Sequence, residues 1–185
     1  MKVTINEFPQ LETRRLLLRE VRLEDSEKLL ENYADPHVTE YFMEPLTEQQ
    51  DAVSIAREYA GHYYAGTGIV WAITFKDDPP LVGTCGYEVL SSFDRRGDIG
   101  YDLARRCWGQ GLMIEALEAV VEYGFTKLGL NRIQAFVLAD NARSINLLNR
   151  LHFRVEGVLQ EHRWFRGRYW DNVIMALLQK DWESR

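Results

Sequence analysis

The chain is poor in the residues that staple or anchor small proteins. It has two cysteines, Cys85 and Cys107, in 185 residues. That is too few for a disulfide framework, and they read as free thiols in a reducing compartment. His37, His62, His152 and His162 fall into neither a CxxC nor an HExxH spacing, so no metal site is expected. No apolar run approaches bilayer-spanning length, and Met1–Gln10 lacks the apolar stretch of a secretory signal. These absences predict a cytoplasmic protein with no membrane partner. Positive charge is also scarce, 22 Lys and Arg against 28 Asp and Glu for a formal net charge of -6. A surface of that sign argues against nucleic acid as a partner and is compatible with a cationic substrate such as an amine. No linker rich in Pro, Gly or Ser and no internal repeat divides the chain. Its length suits one domain over residues 1–185.

The elements that are present can be read from periodicity. Leu16–Val21 reads as a strand, and Glu24–Tyr33 as a helix that ends near Asp35-Pro36. Thr47-x-x-Gln50 has the pattern of a capping box. The helix behind it carries Ala52, Ala56, Tyr59 and Tyr63 at helical spacing, aromatics that read as core. Ile69–Phe75, Leu81–Leu90 and Asp98–Leu103 are three strand runs joined by turns, an antiparallel meander. After a loop at Arg105–Gly111, apolar residues from Leu112 to Leu128 recur at three- and four-residue spacing over about five turns of helix. Arg132–Leu138 is a continuous apolar strand of the buried kind. Asp140 or Asn141 caps a short helix running to Arg150. Val155–Phe165 and Arg168–Leu178 form a hairpin that turns at Arg166-Gly167. The order β-α-α-β-β-β-α-β-α-β-β predicts an α+β fold, with helices layered on a mixed sheet.

The loop between the third meander strand and the long helix is the segment with evident chemistry. The first N–H groups of a helix have no intrahelical acceptor and present partial positive charge. Gly109 and Gly111 let the backbone approach a ligand closely, and Arg105 and Arg106 add charge. Such a loop suits a pyrophosphate. A Walker loop is excluded because Leu112, rather than Lys-Ser/Thr, follows Gly111. A dinucleotide fingerprint is excluded because Ile114 stands where the third glycine belongs. A glycine-bearing turn that caps a helix and binds nothing has the same local sequence.

Arg106-x-x-Gly109-x-Gly111 opening a helix resembles the acetyl-CoA signature of the GNAT N-acetyltransferases. The fuller run Ile99-Gly100-Tyr101-x-Leu103 through Trp108-Gly109-Gln110-Gly111-Leu112-Met113-x-Glu115-Ala116 is similar to the branch that contains the ribosomal-protein N-terminal acetyltransferases RimJ and RimL. Asn141-x-x-Ser144, Leu151-His152-Phe153-x-x-Glu156-Gly157 and Arg166-Gly167-x-Tyr169-x-Asp171 extend the likeness from Leu11 to Trp182. The resemblance implies a GNAT-like, mostly antiparallel central sheet with helices on both faces, and acetyl-CoA as co-substrate without a metal. It implies that Leu103, Ala104 and Arg105 offer backbone groups to the pantetheine arm. Gly109, Gln110, Gly111, Leu112 and Met113 would hold the pyrophosphate, with Arg105 or Arg106 nearby, and Asn141 would bond the pantetheine amides where strands splay. Asn141 also reads as a plain helix cap.

The resemblance implies an amine acceptor, a protein N-terminus in this branch, and leaves open a homodimer, a state frequent in the family. An α-amine has a reference pKa of about 7.7–8.0 against about 10.4 for lysine, so a single carboxylate acting through water suffices to deprotonate it. The family often places that carboxylate on the strand occupied here by Leu81–Leu90, which nominates Glu88 as the base; Glu40 and Glu44 are rivals. Glu88 equally reads as an ordinary exposed strand residue. The tyrosine that many members use as acid falls at Leu148 here, so that position is vacant. Ser144 stands where the RimL-like branch has a serine and is the candidate to hydrogen-bond the cofactor sulfur; its ordinary reading is a first-turn cap. Tyr41, Trp164, Phe165, Tyr169 and Trp170 suggest an aromatic wall for a peptide groove. Three functions fit: a protein N-terminal acetyltransferase, a small-molecule acetyltransferase for a polyamine, amino acid or antibiotic, and a silent acyl-CoA-binding module.

Overall fold

Alternation along Ile69–Phe75 decides how the layers form. Trp71 and Ile73 are buried on one face of this strand and Ala72 on the other, so helices must cover both sides of the sheet. The computed structural model describes residues 7–184; residues 1–6 of the segment read for a targeting signal lie outside the described residues. Eight strands run in the order β1-β2-β3-β4-β5-β6-β8-β7. They are β1 (Leu11–Glu12), β2 (Leu16–Glu20), β3 (Ile69–Phe75), β4 (Gly83–Ser91), β5 (Arg96–Leu103), β6 (Arg132–Leu138), β7 (Arg154–Phe165) and β8 (Arg168–Leu178). Every neighbouring pair is antiparallel except β5 with β6, which gives the mixed, mostly antiparallel sheet expected.

The helices α1 (Ser26–Ala34) and α2 (Gln49–Ala65) cover one face, with Leu29, Tyr33, Ala52 and Ala56 packed around Val21, Ala72 and Leu81. On the other face α3 (Leu112–Thr126) buries Leu112, Met113, Ala116, Leu117, Val120, Val121 and Phe125 against β2, β3 and β4. Each such leucine or valine contributes about 1.5–3 kcal/mol when withdrawn from water. Gly124 belongs to this stripe because Tyr87 of β4 fills the space of its missing side chain and donates its hydroxyl to Val120 O at 2.8 Å. The helix α4 (Ala142–Arg150) adds Leu148, and α5 (Gln179–Glu183) follows β8. No helix among the described residues is long and apolar enough to cross a membrane.

The capping box expected at Thr47 is not formed. Glu48 is the N-cap of α2 and makes no side-chain cap bond. The helix instead begins by tying back to α1, the Gln49 amide donating to Ser26 Oγ at 2.9 Å. A buried pair fastens the same end of α1: Arg19 grips Asp25, the N-cap, with two hydrogen bonds of 2.7 Å and also reaches Pro79 O. Removing either member would strand a buried charge, so this pair belongs to the scaffold.

Candidate active site

The parallel pairing of β5 with β6 stops after three rungs, Arg96–Arg132, Gly97–Ile133 and Asp98–Gln134. At the last rung the Gln134 amide donates to Asp98 Oδ1 at 2.8 Å. Beyond it the strands part, β5 staying with β4 as far as Leu103 and β6 staying with β8 as far as Leu138. Two cavities, of about 480 and about 210 Å³, lie at this gap and share Tyr41, Phe42, Tyr101, Asp102, Asn141 and Ser144.

The larger cavity is built on the N-terminus of α3. Its N-cap is Gly111, which has no side chain to satisfy the first amides, and Gly109, Gly111, Leu112, Met113 and Ile114 line the cavity. Gly109 and Gly111 both take left-handed backbone angles, φ 74° and 73°, which any side chain would strain. A β-carbon at Gly109 would meet no protein atom within 4 Å; the loop leaves room there for a ligand. Glu115, one turn into α3, locks the loop from behind. It accepts Thr13 Oγ1 at 2.6 Å and both the backbone N–H and Nε of Arg15 at 2.7 Å, while Arg15 Nη1 bonds Gln110 O. Desolvation works against its charge, but these hydrogen bonds prevail and hold the Glu115 carboxyl below its ordinary range.

Of the other residues predicted to hold a cofactor, Leu103, Asn141 and Ser144 line this cavity, whereas Ala104, Arg105, Arg106 and Gln110 do not. The Ala104 N–H is spent on Val82 O, and Leu103 O accepts Trp108 Nε1 at 2.7 Å. Arg105 and Arg106 lie in an exposed 3-10 turn, Arg105–Cys107. The arginines that do face the cavity are Arg143 and Arg150 of α4. Arg143 lies 4.2 Å above the Trp108 ring. Neither carries a signal at the level of spacing, since both read as the polar side of a short helix.

Asn141 caps α4, its Oδ1 accepting the Ser144 N–H at 3.1 Å. Ser144 Oγ in turn lies 2.6 Å from Tyr101 Oη. Burial pushes the Tyr101 phenol up to about 12, so it keeps its proton at neutral pH. Leu148 is fully buried, and a tyrosine hydroxyl reaches the gap from β5 instead of α4. The Ile99-Gly100-Tyr101 run held that signal.

The smaller cavity faces α1 and α2. A bulge between Tyr87 and Val89 interrupts β4 at Glu88. Glu88 lines this cavity, its carboxylate lying over Gly100, where any β-carbon would overlap it. The residue keeps solvent contact, yet desolvation raises its pKa above the ordinary carboxylate value; Arg163 and His62 oppose the shift, and Asp98 and Glu58 add to it.

Comparison with known proteins now decides the family. The model of the acetyltransferase (GNAT) domain matches residues 15–154. The chain is a GNAT acetyltransferase. It is 37% identical over 173 residues to the uncharacterized N-acetyltransferase p20 of Bacillus licheniformis, covering 93% of this chain and 97% of that one. It is 27% identical to the ribosomal protein uS5-alanine N-acetyltransferase of Escherichia coli, covering 94% and 92%. The fold matches RimL, a ribosomal L7/L12 alpha-N-protein acetyltransferase solved with coenzyme A, at a TM-score of 0.86 and 18% identity over 94% of this chain and 99% of that one.

In this acetyltransferase the aromatic wall differs from the one expected. Trp164 and Tyr169 are exposed and pack edge-on against each other, Phe165 and Trp170 pair at the hairpin, and none of the four lines either cavity. Tyr41 does, joined by Phe42, Phe136, Tyr33 and Tyr59; Tyr59, read as core, therefore faces the site. The rival bases are engaged elsewhere. Glu40 pairs with Arg143 at 2.9 Å and Glu44 with Arg166 at 3.5 Å. Arg163 and Arg166 further donate to Phe42 O and Met43 O, at 2.5 and 3.3 Å. Three arginines thus strap the loop over residues 35–48 across the gap.

Proposed function

We propose that this enzyme transfers the acetyl group of acetyl-CoA to a primary amine by direct attack, and that the amine is a protein N-terminal α-amine. The observation that carries the reading is the meeting of a donor-sized and an acceptor-sized cavity at the gap between β5 and β6. The open amides at the start of α3 suit the pyrophosphate, with Arg143 and Arg150 in place of Arg105 and Arg106 as the flanking charge. Acetyl-CoA supplies the activated acetyl thioester. Glu88 accepts a proton from the incoming ammonium, directly or through one water. Ser144, backed by Tyr101, donates a hydrogen bond to the departing sulfur. A phenol near 12 is too weak an acid to protonate a thiolate of about 8.5 fully, so the pair stabilises charge and the proton lost by the amine completes the thiol.

Likeness to the uS5-alanine enzyme over most of both chains supports the protein acceptor. A small-molecule amine is favoured by a different observation: the acceptor cavity is only about 210 Å³ and is roofed by the strapped loop. Acetyl-CoA consumption measured against N-terminal peptides, polyamines and aminoglycosides separates the two. Transfer to peptides and not to lysine side chains is the expected result. Cofactor binding without turnover on any amine would overturn it in favour of a silent acyl-CoA module.

A further inference from the structure

Asp102 has no part in that scheme, yet it stands at the junction of the two cavities. It is 8% exposed. One oxygen, Oδ2, accepts the Tyr33 hydroxyl at 2.8 Å and the Thr84 hydroxyl, which lies opposite on β4. The other, Oδ1, is buried with no hydrogen-bond partner among the described residues. Burial raises the carboxyl to about 6, against the lowering pull of the Thr84 and Tyr33 hydrogen bonds, so most of it remains ionised at neutral pH. A buried carboxylate with one unpaired oxygen is costly until a donor and a counter-charge reach it.

Among the described residues no cation pairs with Asp102; Arg143, which lines the larger cavity, is held by Glu40 and lies over Trp108. The titratable groups that face Asp102 are Tyr33 from α1, Tyr59 from α2, and Cys85 and Glu88 from β4. Burial holds Tyr33, Tyr59 and Cys85 protonated. The cation lining the smaller cavity is Arg163 of β7, and its guanidinium is committed to Phe42 O and the Phe165 ring. Two carboxyl groups in an aromatic cavity therefore face one occupied arginine. A primary ammonium brings both the donor and the positive charge, and the rings of Phe42 and Phe136 accommodate it.

We propose that Asp102 docks the acceptor, its free Oδ1 receiving an N–H of the ammonium group while Tyr33 and Thr84 hold Oδ2. The site then selects a primary amine whose neighbouring carbon carries no carboxylate, because a second anion would be set against Asp102 and Glu88. Peptide N-termini and alkylamines meet this condition, and free amino acids do not. The inference rests on the smaller cavity being the acceptor site.

Alaninamide and alanine, which differ in that carboxylate, are the probes. Their binding to the full chain saturated with coenzyme A is followed by saturation-transfer NMR from pH 5 to pH 8, and their acetylation is measured separately. The wild type should bind alaninamide at least tenfold more tightly than alanine, with affinity falling as pH drops through about 6. Asp102→Asn should weaken alaninamide at least tenfold through KM, flatten the acid side of the binding profile and bring the two probes within threefold of each other, with coenzyme A affinity unchanged. The Glu88→Gln variant should keep the preference for alaninamide. Should Asp102→Asn fail to fold, the wild-type preference and pH profile decide alone. An Asp102→Asn protein that binds and discriminates like wild type overturns the role of Asp102 and leaves acetyl transfer standing. A wild type that neither binds nor acetylates alaninamide overturns both.

Discussion

A carboxylate buried to receive a cation should weaken the empty protein, and Asp102→Asn measures by how much. The folded carboxyl titrates near about 6 because it is buried, whereas an unfolded aspartate titrates near about 3.9. Between these values the folded chain holds a proton that the unfolded chain has released. The unfolded state binds fewer protons, so stability falls as pH rises. The stabilisation from the neutral carboxyl is complete below about 3.9 and lost above about 6. Two units at about 1.36 kcal/mol each amount to roughly 3 kcal/mol, a large share of the roughly 5–15 kcal/mol that holds a domain together. Asparagine keeps an acceptor for Tyr33 and Thr84 and carries no charge. Urea unfolding of both proteins, followed by tryptophan fluorescence across pH 4 to 7.5, gives the difference directly. The stability of the variant relative to wild type should climb by roughly 3 kcal/mol over that interval, whatever its offset in acid. A difference that stays flat, or slopes the other way, refutes the raised carboxyl and the stability cost assigned to it.

Further perturbations probe the rest of the site and its support. Glu88→Gln should lower kcat by about 10²–10⁴-fold. It should also abolish the acid limb of the rate profile, which in the wild type falls as pH drops through a value above the ordinary carboxylate range; an unchanged profile removes Glu88 as base. Ser144→Ala and Tyr101→Phe should each reduce kcat about tenfold or more with coenzyme A affinity retained. Their effects should not add, because the two hydroxyls share one hydrogen bond of 2.6 Å; undiminished kcat in Ser144→Ala rules the role out. Gly124→Ala would gain about 1 kcal/mol of helix propensity on an open surface. Here its methyl falls on the Tyr87 hydroxyl, so thermal unfolding should show a net loss of roughly 1–3 kcal/mol from overpacking, reduced in a Tyr87→Phe background.

Much of the frame was legible because it is local. Ile69–Phe75 and Arg132–Leu138 have the predicted limits, since a short, nearly continuous apolar run suits a strand buried in a sheet; Phe136 stays exposed where β6 borders the smaller cavity. Arg166-Gly167 turns the hairpin where expected, with Arg166 at φ 51° and Gly167 at φ 74°. The two-residue strand β1 and the short α5 carry no period to read. The site is legible only where it follows the chain, as in Gly109 to Met113 and Asn141 to Ser144. Its other half is assembled across distance: Tyr33 meets Asp102 from 69 residues away, and Arg163 meets Phe42 from 121. Aromatic density at the hairpin pointed to the wrong wall, because spacing cannot show that Trp164 and Tyr169 face outward.

The strap over the acceptor cavity has a consequence for how the enzyme can change. Two of its four anchors, Phe42 O and Met43 O, are main-chain carbonyls, which every amino acid supplies. Substitutions at Tyr41 or Phe42 alter the chemistry offered to the amine without touching those anchors. The loop can thus exchange its side chains while its path is kept, and the lining of the smaller cavity can change while the backbone of Gly109–Met113 stays as it is.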